Sequence, residues 1–489
     1  MSEVETVADG ALGQAVQGAR AAGAGQTGRE RLVLPGLVVL AMVTGVIGSL
    51  GAPIIPEIAR TEHVSVHTAQ WAITAGMLVS AVSTPIIGRL GAGGRRKTVM
   101  VGVLALVCLG ALLAALPLGI ELLIAGRAVQ GIGLGLSPLV FAVARDALPP
   151  SRHRAAIAAI SVAGVVAAGL GFPVTAVTAE VAGVKGAFWL GLGLTLFALV
   201  VAVVAVPSSR GEAPGEVDWI GAVLLGLGIF GLLLAISQAA RWGYLAAPTV
   251  SVLAAGLVLT GLCVGWLRRT AHPLVDLRLA SHPGVAATHV AALLAGGSMY
   301  LDFALVMLLL QTPHGLGYGL DHSVALAGSM MLPYAVASVV GNRCALRFGP
   351  LIGPDLLLPL GCAVFGLANL LLLVAPASLV MVIAMMTIAG LGSGLTFNSI
   401  PWLMLGFVPA AETGSAMSFN MVMRFLGFSL GSALALAAEQ GYADDRGHPT
   451  RLGYQVGGAW GVGVAVLAVL CCAGLGRVAA RRQGPTSPN

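Results

Sequence analysis

Three charged side chains stand in stretches that are otherwise apolar: Arg127, Asp302 and Arg424, with His289 as a weaker fourth. Charge held at membrane depth is costly and marks proton relays, ion paths or substrate contacts. Asp302 sits in Tyr300-Leu301-Asp302-Phe303-Ala304, apolar on both sides. Desolvation favours the protonated form of such a carboxyl, and a neighbouring arginine favours the carboxylate. A group balanced between the two can load and release a proton. The competing reading is a structural aspartate that caps a broken helix or pairs with a neighbour. Arg127 either tunes a proton site and receives polar groups of a substrate, or is satisfied by backbone carbonyls. Asn420 and Arg424, four residues apart, share a helical face and either line a cavity or make an interhelical bond. His289 reads as a packing residue.

Other chemistries lack their residues. The chain has no HExxH, no phosphate-binding loop and no metal-spaced histidine pair. No acid cluster is present to hold a metal diphosphate, and the adjacent Asp444-Asp445 falls in a loop beside Arg446. A membrane-embedded transferase is therefore not expected, nor any cofactor or metal. The six cysteines form no CxxC pair and read as small packing residues.

The elements that must carry these charges follow from composition. Of 489 residues, 57% are hydrophobic and 9% charged, against roughly 25% charged in soluble domains. About 20 helical residues cross a hydrocarbon core roughly 30 Å thick. The apolar blocks predict fourteen spans, at 33–53, 69–88, 98–116, 121–143, 155–179, 186–207, 218–239, 248–268, 284–310, 323–345, 351–374, 378–402, 414–438 and 457–476. Barrel strands would be half as long and alternate in polarity. Asp302 lies nine residues before Gln311, so roughly 13 Å inside the span at 1.5 Å per residue.

Orientation follows the arginines and lysines. With the N-terminus inside, 19 of them fall in inside segments, 5 outside and 2 within spans. Both termini are then cytoplasmic, in a multi-pass protein of the inner membrane. The net charge of +6 is a topology signal and calls for no nucleic-acid partner. The first 30 residues lack the apolar core of a cleaved signal and read as a disordered cytoplasmic tail.

The chain also repeats itself. Gly88-Arg89…Arg95-Arg96-Lys97 after span 2 is echoed by Gly341…Arg343…Arg347 after span 10, at an offset of 253. Gly131, Gly133 and Gly135 in span 4 match Gly390, Gly392 and Gly394 in span 12, with a proline nineteen residues after the first glycine in each, at an offset of 259. Leu170-Gly171-Phe172 matches Leu426-Gly427-Phe428 at 256. The near-constant offset predicts two related six-helix bundles, 33–207 and 284–476. Two inserted helices with cytoplasmic linkers (208–283) lie between them, and tails at 1–32 and 477–489 flank them. Repeats of this kind bind substrate near the midplane where the halves meet, and rock to expose it to alternate sides.

These motifs resemble the major facilitator superfamily, and within it the fourteen-span drug:proton antiporter branch, over nearly the whole chain. The segment Gly88-Arg89-Leu90-Gly91-Ala92-Gly93-Gly94-Arg95-Arg96-Lys97 resembles the family's cytoplasmic gating loop, G-x-L-x-D-x-x-G-R-R/K. Ala92 stands at the acid position, and the loop is one residue short. The resemblance gives Gly88, Arg89, Gly91, Arg95 and Arg96 a latching role; the arginines otherwise serve as topology anchors. Arg127-Ala128-Val129-Gln130-Gly131-Ile132-Gly133 is similar to R-x-x-Q-G-x-G, whose arginine is linked to proton coupling. Gly164, Gly169, Gly171 and Pro173 resemble the antiporter motif of span 5, with Thr175 and Ala176 in place of its closing glycines. Asp218-Trp219-Ile220-Gly221, Pro273-Leu274-Val275-Asp276-Leu277 and Glu412-Thr413-Gly414-Ser415-Ala416 resemble the fourteen-span branch. Relatives often carry an aspartate in span 1, where this chain has Val46-Ile47-Gly48. Position 47 plus the repeat offset of about 255 gives 302, which makes Asp302 the symmetry mate of the missing acid.

The resemblance implies an all-α integral membrane protein of 6+2+6 helices. It would be a monomeric proton-coupled exporter of small amphiphilic molecules, with protons and membrane lipid as its other partners. An importer or facilitator of the same fold is the alternative. Asp302 and Arg127 are the expected proton-coupling residues. Gln130, Asn420, Arg424, Met299, Tyr300 and Tyr334 are the expected cavity residues, with Met307, Met330, Met331 and Trp402 as further candidates. Without an acid in span 1, neutral or weakly acidic substrates fit better than permanent cations.

Overall fold

Side chains apolar on every face make helices, because in lipid only a helix satisfies its own backbone. The computed structural model describes residues 32–51, 54–208, 218–271, 273–316, 318–374, 377–409, 412–443 and 450–483, all of them helices and short connections. The expected N-terminal tail, most of the linker after residue 207, Asp444-Asp445 and the last six residues lie outside the described part.

The helices are α1 (Leu32–Ser49), α2 (Ile55–Thr61), α3 (Val66–Leu90), α4 (Arg96–Ala115), α5 (Ile120–Gly131), α6 (Leu136–Ala147), α7 (Pro150–Ala205), α8 (Trp219–Trp242) and α9 (Ala247–Leu267). They continue with α10 (Leu277–Ala280), α11 (Pro283–Gln311), α12 (Val324–Ser329), α13 (Met331–Ile352), α14 (Pro354–Val374), α15 (Leu379–Phe407), α16 (Thr413–Gly441) and α17 (Arg451–Gln483). Local chemistry sets many starts. Ser65 caps α3 by accepting from the Thr68 amide, and Asp218 caps α8 by accepting from Gly221 at 2.8 Å. Prolines open α7, α9 and α11, where a missing N–H costs nothing.

Among the described residues, twelve helices are long and apolar enough to span a membrane, against fourteen expected. Two physical features account for the difference. First, the expected spans 5 and 6 run together as the 56 residues of α7, which at 1.5 Å per residue is about 84 Å, far longer than a bilayer core. Gly183, at φ 73° and ψ 175°, interrupts that element in a conformation open essentially only to glycine. Second, the expected span 10 is α12 and α13, and α13 carries Asn342, Arg343 and Arg347 within its 22 residues, which dilutes its hydropathy. At the far end α17 continues to Gln483, beyond the expected boundary at 476.

Packing repeats along the chain. α4 lies against α5 and α7, and α14 lies against α15 and α17. α3 packs on α5, and α13 on α15. The repeated glycines sit at equivalent crossings. A Cβ on Gly131 would overlap the Gly76 carbonyl of α3, and one on Gly390 would overlap the Tyr334 carbonyl of α13. Small residues at such places let backbones touch. Across the molecule α3 and α6 meet α16, α7 meets α13 and α15, and α8 lies against α9, α3 and α16.

Candidate functional site in the membrane interior

Asp302 projects from α11 and is wholly buried. Neither carboxylate oxygen has a hydrogen-bond partner among the described residues, and no ion pair joins it to an arginine there. Its surroundings come from the helices that α11 packs against, namely α14, α15, α16 and α17, and from α13. Ser298, one turn earlier on α11, accepts from Asn369 Nδ2 of α14 at 3.0 Å. Tyr334 of α13 donates to the Met299 sulfur at 3.0 Å and stacks with Phe303 at 5.4 Å between centroids. Tyr300 lies 5.9 Å from Phe428 of α16. The predicted Met299, Tyr300 and Tyr334 are thus brought together with Asp302 around one helix.

Arg127 is held elsewhere. On α5 it donates to Gln130 Oε1 at 2.6 Å, to the Ile47 carbonyl at 3.4 Å and to the Ala72 carbonyl at 3.3 Å. It therefore ties α1, α3 and α5 together, in the manner of a carbonyl-satisfied arginine. Gln130, 2% exposed, is its partner.

Asn420 and Arg424 start from one face of α16 and diverge. Asn420 Nδ2 donates to the Thr288 carbonyl at 2.9 Å and lies 3.4 Å from His289 Nδ1, which docks α16 on α11. Arg424 instead lays its guanidinium 4.4 Å from the centroid of the Phe397 ring of α15. Gly296 of α11 leaves room for its stem. Its buried Nε has no partner, and it makes no hydrogen bond or ion pair among the described residues. Tyr334 stands within electrostatic range of both Asp302 and Arg424.

The end of the bundle that is rich in arginine closes differently. Arg89 donates to Glu412 Oε1 at 3.1 Å, from the end of α3 to the start of α16. Arg145 donates to Thr413 Oγ1 at 2.5 Å and to the Val408 carbonyl at 3.0 Å. Arg154 donates to the Leu346 carbonyl at 3.0 Å and stacks on Trp402 at 4.4 Å. Arg96 pairs with Asp146 and bonds the Ala142 carbonyl, which joins α4 to α6. Arg95 is exposed. Gly88 faces Gly414 and Ser418 of α16, and Gly91 faces Leu139. In α7, Gly171 faces Ser49 and the nearest atom to Gly164 is the Ala41 carbonyl, both on α1; Gly169 meets Ala335 and the Met331 carbonyl of α13. Pro173 lies in the helix interior.

Sequence reasoning missed several partners. Phe397 carried no signal beyond aromaticity. Glu412 was visible only as the start of a motif, and Asp146 only as the neighbour of Arg145.

Comparison with known proteins gives a family match and distant relatives. The model of the Major Facilitator Superfamily matches residues 37–432. The chain is 27% identical over 390 residues to the drug efflux pump JefA of Mycobacterium tuberculosis, covering 78% of this chain and 74% of that protein. It is 27% identical over 419 residues to the tetracenomycin C resistance and export protein of Streptomyces glaucescens, covering 84% and 76%. Among solved structures, the human organic anion transporter MFSD10 superposes with a TM-score of 0.65 at 15% identity, over 91% of this chain and 99% of that one. That likeness concerns the fold.

Proposed function

The chain belongs to the major facilitator superfamily, and on that premise we propose that it exports small amphiphilic molecules across the cytoplasmic membrane, driven by protons, by alternating access. The observation that carries the proton half of this reading is the Asp302 carboxyl, wholly buried with both oxygens bare. A carboxylate in that place, without a partner, would cost several kcal/mol, so its neutral form is the natural one here. Loading and unloading that proton is what an antiporter needs, and Arg424 is the charge nearest in role to pair with the anion. Export is supported by relatives that are drug efflux and antibiotic export proteins.

The remaining finer features follow in the same reading. Fourteen spans result when α5 and α6 count as one crossing, α7 as two about Gly183, and α12 and α13 as one. The helices then divide as two bundles of six with α8 and α9 between, which the repeated contacts of α4 with α7 and of α14 with α17 support. The arginine-rich end is cytoplasmic. The bridges from Arg89, Arg145 and Arg154 hold that end shut. Arg89 and Glu412 supply across the two bundles the ion pair that Ala92 no longer makes within the loop.

A susceptibility panel comparing cells with and without the gene would identify the substrate. Everted vesicles with an imposed pH gradient test the mechanism. Wild type should accumulate that compound, and Asp302→Asn should lose gradient-driven uptake. Undiminished uptake by Asp302→Asn would end the assignment of the proton to this residue, and flux only in the opposite sense would make the protein an importer.

A further inference from the structure

Antiport requires that proton and substrate exclude one another, and Arg424 with the ring of Phe397 offers a surface for that exclusion. Arg424 is a cation in an apolar bundle, lying against the face of Phe397 at 4.4 Å. The ring quadrupole holds a guanidinium only weakly, and a bare carboxylate would attract it more strongly. Asp302, with both oxygens free, becomes such a carboxylate when it loses its proton. Tyr334 stands within electrostatic range of each. Gly296, against the Arg424 stem, removes the side chain that would otherwise fix the stem in place.

We propose that Arg424 is the coupling element and Phe397 the substrate-recognition surface, for planar aromatic molecules without a positive charge. With Asp302 protonated, the guanidinium covers the Phe397 ring and the substrate is excluded. When Asp302 releases its proton to water, Arg424 swings to the carboxylate and leaves the ring face open for an aromatic substrate to stack. Proton and substrate then compete for one ring, through one arginine. The released Arg424 charge is neutralised by Asp302, so the site has no anion left over to prefer a cationic substrate. The aromatic walls already present, Tyr300 with Phe428 and Phe303 with Tyr334, suit a flat ring system. The titratable side chains on the elements packed around the pair are Tyr300 and His289 on α11, Tyr334 on α13, Cys362 on α14 and Cys471 and Cys472 on α17, with Arg343, Cys344 and Arg347 toward the far end of α13 and Arg451 and Arg477 toward the two ends of α17. Glu439 on α16 and Tyr454 on α17 stand nearer the helix ends. α15 contributes the uncharged Ser393 and Thr396.

This inference rests on the proton reading of Asp302, and the experiment separates the two. The full-length protein in lipid nanodiscs is titrated with Nile red, an uncharged planar fluorophore, at pH 6 and pH 8. Wild type should bind at least ten-fold more tightly at pH 8. Asp302→Asn, fixed in the neutral form, should bind weakly at both pH values. Phe397→Leu should do the same. Arg424→Gln should bind tightly at both, because nothing then covers the ring. This gain at acid pH is a result that a merely damaged fold would not give. If Asp302→Asn keeps the pH dependence, the proton reading fails and the coupling with it. If Asp302→Asn loses that dependence but Arg424→Gln keeps it, or binds more weakly than wild type at pH 8, the competition for Phe397 is overturned while the proton site stands. Failure of the wild type to bind Nile red at either pH overturns the assignment of uncharged planar aromatics.

Discussion

Neutralising Glu412 should open the arginine-rich end of the molecule by a measurable and modest amount. Arg89, at the end of α3, reaches it at the start of α16 at 3.1 Å, with 9% of the arginine side chain and 31% of the glutamate side chain exposed. The bare Coulomb attraction at that distance is about 5 kcal/mol with an effective dielectric of about 20. Desolvation of the arginine, screening at the glutamate and the ordering of two long side chains remove most of it, leaving about 1 kcal/mol, the upper end for a rim pair. Arg145 keeps its bonds to Thr413 and the Val408 carbonyl, so closure is weakened and not abolished. Glu412→Gln should therefore shift the ratio of closed to open molecules by about five-fold. Spin labels on Arg95→Cys and Leu351→Cys, both exposed positions at this end, would report the change as a growing long-distance population in pulsed electron resonance. Arg89→Glu should resemble Glu412→Gln, and the double exchange Arg89→Glu with Glu412→Arg should restore the wild-type distribution. At about 1 M salt, where the Debye length is about 3 Å, the wild type should move toward the mutant. An unchanged distance distribution in Glu412→Gln, or a double exchange that fails to rescue, would refute the claim that this pair holds the end shut.

Gly131→Ala and Gly390→Ala should each lower thermal stability in detergent by about 1–3 kcal/mol, because the new methyl overlaps the carbonyl of Gly76 or of Tyr334; equal melting points for either variant and wild type would show that these crossings are loose. Gly183→Ala should cost about 1–3 kcal/mol through its backbone angles alone, since open space surrounds that position, and Gly183→Asn should be no better; a neutral effect would mean that the helix re-forms there without the break.

How much of this was legible in the sequence differs by level. The helices were, since each is an apolar block bounded by prolines, glycines or arginines. The break at Gly183 was placed only approximately, because hydropathy is the same on both sides of it and a backbone angle leaves no trace in composition. The residues that could do chemistry were also legible, as charges among apolar neighbours. Their partners were not. Arg89 and Glu412 are 323 positions apart, and no local pattern encodes that contact. Asn420 and Arg424 share a helical face, which spacing predicts correctly. A short amide stops at the backbone of α11 while a long guanidinium travels on to α15, so one face serves two different neighbours.

Arg127 and Asp302 are the two residues expected to couple protons. The two charges are treated in opposite ways. Arg127 has carbonyls of Ile47 and Ala72 and the Gln130 amide oxygen around it, a complete environment that a passing proton or substrate would have to dismantle. Around Asp302 the polar atoms are incomplete: both its own oxygens, Asn369 Oδ1 on the helix that bonds Ser298, and Arg424 Nε are buried without a partner among the described residues. Buried polar groups in native proteins are nearly always satisfied, and an exception asks for a reason. An arrangement that must be bonded differently in a second state is such a reason, since groups that change partners cannot be fully paired in either one. On that argument the moving chemistry is expected in the helices around α11, with Arg127 in the frame that joins α1, α3 and α5. A swap of roles is testable without knowing the substrate. Arg127→Gln should lower the melting temperature more than Arg424→Gln does, because it removes three bonds where the other removes a ring contact. The reverse order would place the structural load on the wrong arginine.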